Sequence, residues 1–110
     1  MKLNDDVLVQ HIISECEKIR ELLSFVSYEM FLEKTMYQDA LIRPLEVIGE
    51  AAGNLSPDFI VSNPEIPVSN MKGMRNLLMH QYLRVDLRLV WQSCLQDISS
   101  ISRSLLSPKR

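Results

Sequence analysis

The stretch Met71-Lys72-Gly73-Met74-Arg75-Asn76-Leu77-Leu78-Met79-His80-Gln81-Tyr82 crowds a guanidinium, an amide, an imidazole and a phenol into a short space. If one helix carries them all, a turn of about 100° per residue brings Arg75, Asn76, His80 and Tyr82 within an arc of about 160°. Asn76 and His80 are then an i,i+4 pair, and Arg75 and Tyr82 nearly share a second stripe. These groups suit phosphoryl chemistry. Arginine is permanently charged and grips phosphate oxygens two at a time. Histidine exchanges a proton near neutral pH. Cleaving RNA requires a base for the 2′-hydroxyl proton, stabilisation of the charged phosphorane and an acid for the leaving oxygen. An arginine and a histidine supply much of this. By spacing alone, however, such a pair is more often a surface charge and a hydrogen-bonded interfacial histidine, and a lone tyrosine more often a core-edge residue. His11, between Gln10 and Ile12, has no polar company and reads as structural.

A second histidine with a matching role is missing. His11 and His80 are the only imidazoles, so a symmetric site built by two chains is the simpler way to obtain an acid and a base. Other chemistries find little support. No CxxC, HxxxH or HExxH spacing exists for a metal, and no GxxxxGK[ST] or GxGxxG cradle exists for nucleotide phosphates. No metal site and no cofactor is therefore expected. Cys16 and Cys94 both fall on apolar stripes and read as small buried hydrophobes.

The elements that must position these groups are helical. Val9, Ile12, Cys16, Ile19, Leu23 and Val26 recur every three or four residues and predict a helix over 4–26, capped by Asn4 or Asp5. Ser27 caps a short helix through Phe31 and Leu32. Thr35 and Gln38 have the capping-box pattern and open a helix over 36–54, which Pro44 should kink. Gly49, Ala52 and Gly53 give this helix a small-residue face, suited to a tight crossing within the chain or to a dimer seam. Ser56-Pro57 starts a short helix over 57–62, and 63–67 form a loop. Pro67 opens the helix of the motif, expected to reach about residue 82. Asp86 or its neighbours start the last helix, with Leu87, Trp91, Cys94, Ile98, Ile101 and Leu105 on its apolar stripe; the tail 107–110 should fray. The expected architecture is one all-α domain over 1–110, an up-and-down bundle of four main helices with short ones between.

Composition agrees with a single globular domain. The 110 residues are 46% hydrophobic and 24% charged. A chain of this size buries roughly 60–70% of its unfolded surface, enough for a core without staples. No charge-free run exceeds eight residues, so no membrane span is expected. Two early carboxylates speak against a signal peptide, and the expected location is cytoplasmic. The net charge of −2 argues at first against nucleic acid, but it averages unlike regions. Residues 71–88 hold Lys72, Arg75, Arg84 and Arg88 against Asp86 alone, a net of +3, and the remainder carries −5. Lys72, Arg84 and Arg88 are thus candidate RNA contacts beside the motif, and a dimer would double the field.

Gly73-Met74-Arg75-Asn76-Leu77-Leu78-Met79-His80-Gln81-Tyr82, followed by Val85-Asp86 and Val90-Trp91, resembles the signature of the HepT-like family. These are HEPN-domain ribonuclease toxins paired with minimal nucleotidyltransferase antitoxins. Leu45-Glu46-Val47-Ile48-Gly49-Glu50-Ala51-Ala52 resembles a second recurring segment, and Ile66-Pro67 the lead-in to the catalytic helix. Val68 stands where many relatives carry tryptophan. The resemblance implies a HEPN bundle, a homodimer with both motifs on a shared cleft, and metal-independent cleavage of RNA (tRNA or mRNA) through a 2′,3′-cyclic phosphate. Arg75 and His80 would be the catalytic pair, with Asn76 beside them. Tyr82 would be the residue that the antitoxin modifies with AMP, placing negative charge and bulk at the cleft mouth. A non-catalytic module that docks a nucleotidyltransferase or a nucleotide, and a purely structural helical dimer, are the alternative readings.

Overall fold

The computed structural model describes residues 4–79 and 86–106, and for 75–79 the helical backbone alone. The described residues form seven α-helices and no strand: α1 (Asp5–Leu23), α2 (Tyr28–Glu33), α3 (Thr35–Gly53), α4 (Pro57–Ser62), α5 (Val68–Met79), α6 (Leu87–Gln92) and α7 (Ile98–Leu106). The chain is an all-α bundle. The expected extension of the motif helix to residue 82 and the tail 107–110 lie outside the described residues. None of the described helices is long and apolar enough to cross a membrane.

Most helix starts are written into the sequence as side-chain caps. Asn4 Oδ1 accepts from the Val7 N–H at 2.9 Å, with Asp5 and Asp6 at the positive end of α1. Ser27 Oγ accepts from the Met30 N–H, and Ser56 Oγ from the Phe59 N–H with Pro57 in the first helical position. Asp86 Oδ1 accepts from the Arg88 and Leu89 N–H groups at the start of α6. Such caps contribute about 1 kcal/mol each by satisfying donors that the helix itself cannot.

Helix α3 begins differently from expectation. Thr35 is its first residue rather than its cap, and Lys34 precedes it with no side-chain bond. Gln38 does not close a capping box. Its Nε2 donates to the Phe31 and Leu32 carbonyls at 3.0 and 3.2 Å. The cause is proximity: α2 ends just before α3 begins, so its orphan carbonyls lie within reach of the amide. α1 is also shorter than its apolar spacing suggests. It stops at Leu23, where Ser24 Oγ donates to the Glu21 carbonyl, and Val26 reaches the core from the connecting turn.

α3 is the centre of the bundle, packing most extensively on α5 and α1, while α1 also packs on α7. Leu8, Ile12, Cys16 and Ile19 of α1 meet Leu41, Leu45, Ile48 and Ala52 of α3 in one core, closed by Val90, Cys94, Ile98, Ile101 and Leu105 of the last segment. Gly49 is buried and Ala52 only 1% exposed, so these small residues serve a close crossing within the chain, whereas Gly53 is exposed. Pro44 is buried within α3, which runs unbroken past it. Both thiols are buried and free, and burial pushes each up to about 12 from an ordinary 9.0. His11, read as structural, is exposed.

Two features escaped the periodicity. Between α6 and α7 the helix widens into a π-helical turn over Ser93–Asp97, across which Ser93 Oγ donates to Asp97 Oδ2 at 3.1 Å. The second is a bond between remote segments. Asp5 accepts from Ser56 twice, from its backbone N–H at 2.9 Å and from its hydroxyl at 2.6 Å. Ser56 therefore caps α4 and ties it to the first turn of α1 at once.

Candidate functional site

α5 carries the first half of the polar constellation. Its start is set by the Pro67 carbonyl, which accepts from the Met71 N–H. Val68, Met71 and Met74 are buried against the rest of the bundle, with exposures of 7%, 0% and 4%. Ser69, Lys72 and Gly73 are exposed. This amphipathic split fixes the helix in rotation. At 100° per residue, position 75 falls within about 40° of Met71 and Val68, on the stripe whose earlier members are buried. Position 76 falls within about 40° of Lys72 and about 20° of Ser69, on the stripe whose earlier members are exposed. By backbone register alone, position 75 continues the stripe of Val68 and Met71, and position 76 that of Ser69 and Lys72.

The other expected residues divide between described and undescribed parts. His80, Tyr82 and Arg84 lie outside the described residues. Arg88 is on α6, exposed, with Asp86 Oδ2 3.8 Å from its guanidinium. A surface pair at that distance contributes little and leaves the charge available. Lys72 is exposed on α5 and has no ion-pair or hydrogen-bond partner among the described residues. Val68, the departure after Ile66-Pro67, is buried and packs as an ordinary core residue.

Two features beside the motif were not legible in the sequence. One is an open groove of about 520 Å³ between α4 and α5, lined by Ile60, Val68, Ser69, Lys72 and Gly73. The other is an aromatic cluster. Trp91 of α6 lies against Tyr28 and Phe31 of α2, with ring centroids 5.5 and 5.3 Å apart. It fixes the start of the last helical segment on the bundle, immediately after the segment that follows the motif. The Val-Trp pair in the signature hinted at a role for Trp91, but its partners are 60 or more positions away.

A family model for ribonuclease HepT-like proteins matches residues 12–107, which brackets the whole motif. The chain belongs to the HepT-like family. HepT-like relatives cover most of its length. A protein of Thermococcus cleftensis named "Probable ribonuclease HepT" is 39% identical over 101 residues, covering 92% of each chain. A protein of Caldanaerobacter subterraneus subsp. tengcongensis named as a "Putative RNase" is 33% identical over 97 residues, covering 88% of this chain and 87% of the relative. Another of that description from Methanocaldococcus jannaschii is 32% identical over 94 residues, 86% of either chain. No solved structure gives a significant match. The all-α bundle is accordingly the HEPN bundle of the HepT-like family.

Proposed function

We propose that this protein is a metal-independent endoribonuclease. The reading is supported by the family match over residues 12–107, a range that contains Arg75, Asn76, His80 and Tyr82. The His80 imidazole takes the proton of an RNA 2′-hydroxyl. The freed oxygen bonds to the adjacent phosphorus, the bond from phosphorus to the 5′-oxygen breaks, and a 2′,3′-cyclic phosphate remains. Arg75 neutralises the charge that builds on the non-bridging oxygens, where its two-pronged geometry fits. Asn76 donates its amide to the same group. The departing 5′-oxygen requires a proton, and a second copy of the chain supplies it from its own protonated histidine across a shared cleft. The acting unit is therefore a homodimer. Lys72, Arg84 and Arg88 hold the strand on either side.

The decisive experiment is cleavage of labelled RNA in EDTA. Wild-type protein yields fragments ending in 2′,3′-cyclic phosphate, and His80→Ala or Arg75→Ala yields none. Cleavage that persists unchanged in both variants overturns the assignment. Tight binding of a nucleotidyltransferase with no cleavage by unmodified wild-type protein is the behaviour of a non-catalytic module.

The same reading extends to control. The protein is the toxin of a pair whose antitoxin, a minimal nucleotidyltransferase, attaches AMP to the Tyr82 oxygen. The added phosphate repels RNA from the basic segment. Intact mass after co-expression with a nucleotidyltransferase antitoxin tests this. Mass increments of AMP in wild-type protein, lost in Tyr82→Phe, are expected; increments that survive in Tyr82→Phe exclude Tyr82 as the acceptor.

A further inference from the structure

The groove between α4 and α5 has a composition that scaffolding alone does not require. Its floor is the exposed stripe of α5, where Ser69, Lys72 and Gly73 follow one another along the first two turns. Its wall is apolar, formed by Ile60 of α4 and Val68 of α5. Lys72 lines this space and is unpaired by any described residue. A lysine whose charge served stability would be expected near a carboxylate, as Lys18 is, 3.0 Å from Glu15. Gly73 keeps the floor low: a Cβ built there meets nothing within 4 Å. Since glycine inside a helix costs about 1 kcal/mol relative to alanine, an open position without a packing reason points outward, to something that approaches the backbone.

We infer that the α4–α5 groove is a subsite for the nucleotide next to the cleaved bond, with Lys72 and Ser69 on its phosphate and Ile60 and Val68 against its ribose or base. The inference rests on the ribonuclease reading for the position of the cleaved bond, but not for binding itself. Lys72 and Asn76 are one helical turn apart on the same stripe, about 6 Å along the axis. That step is comparable to the separation of neighbouring phosphates along an extended strand. A phosphate at the motif therefore places the next one over Lys72. The occupant is single-stranded RNA because the groove combines one unpaired cation with an apolar wall, within a segment, 71–88, that carries a net charge of +3 in an acidic chain.

Two measurements test it. In the first, a dinucleoside monophosphate, which carries only the cleaved phosphate, is compared with a trinucleotide that carries one more. Lys72→Ala raises KM for the longer substrate roughly fivefold with kcat unchanged, and leaves the shorter one unaffected. In the second, binding of a short RNA to the His80→Ala protein is followed against salt. Adding Lys72→Ala reduces the slope of log affinity against log salt by about 0.7, one phosphate's worth. Gly73→Gln, which projects a side chain into the open floor, weakens binding in the same sense, whereas Lys18→Ala on α1 does neither. An unchanged salt slope in Lys72→Ala, or an equal loss on the dinucleoside monophosphate, overturns the subsite; a groove that seats protein would give that unchanged slope. If wild-type protein cuts no RNA yet the slope still depends on Lys72, the cleavage reading fails and the subsite stands.

Discussion

The α1–α3 pair and the helix α5 use the same apolar spacing for different ends. In the pair, Ile12, Cys16 and Ile19 face Leu41, Leu45 and Ile48, all 2% exposed or less, and the polar residues that alternate with them can vary without altering the packing. In α5 the buried Val68, Met71 and Met74 share their side of the helix with position 75, an arginine. An arginine at that register puts a permanent charge where the apolar spacing would call for another hydrophobic residue. The scaffold is thus explained by burial and the motif helix is not, and residues that burial leaves unexplained are where chemistry is to be sought.

That contrast can be broken at graded cost. The largest effect is expected from His80→Ala or Arg75→Ala, which should lower RNA cleavage by a factor of about 10³ or more while leaving the thermal midpoint within a few degrees. Parallel activity and melting measurements decide it; an equal loss of fold in both variants would assign these residues to the scaffold. Phe31→Ala should do the reverse, lowering stability by about 3–5 kcal/mol in urea, because it empties a fully buried site beneath Trp91, with cleavage per folded molecule retained at low temperature. Smaller again is the alkaline loss. The unfolded thiols ionise near 9 whereas Cys16 and Cys94 hold their protons to about 12, so the unfolded state binds fewer protons above pH 9. Stability contributed by these thiols is full below pH 9 and falls as pH rises towards 12. Denaturant midpoints between pH 8 and 11 check it, and neither thiol should react with an alkylating reagent at pH 8 until the chain unfolds. The smallest effect is Gly73→Ala, which should stabilise the fold by up to about 1 kcal/mol, since α5 gains a better helix former and the new methyl meets nothing.

The sequence revealed most about segments whose physics is local. Asn4, Ser27, Ser56-Pro57 and Asp86 mark helix starts because a cap needs only its own next three residues. The Thr35–Gln38 pattern misled for the opposite reason: Gln38 serves the carbonyls of α2, whose nearness no four-residue pattern records. Leu8 and Val90 were overlooked as core, and Val9 and Leu23 are half-buried rather than central, because the stripe drifts by tens of degrees along each helix and the π-helical turn at Ser93–Asp97 resets it. At the site, residue types and order pointed to Arg75, Asn76, His80 and Tyr82, but the groove beside Lys72 needs α4 as a wall, and α4 reaches it only through tertiary packing.

The bond between Asp5 and Ser56 spans 51 positions, and both of its ends precede α5. During synthesis the chain emerges from its N-terminus, so α1, α2, α3 and the first turn of α4 leave the ribosome ahead of the motif. A lock that joins the oldest helix to the threshold of the motif helix gives the nascent protein a seat on which Val68, Met71 and Met74 can settle as they appear. The reactive segment then docks on a frame whose first wall is already set, and α7, packing on α1, closes the core after it.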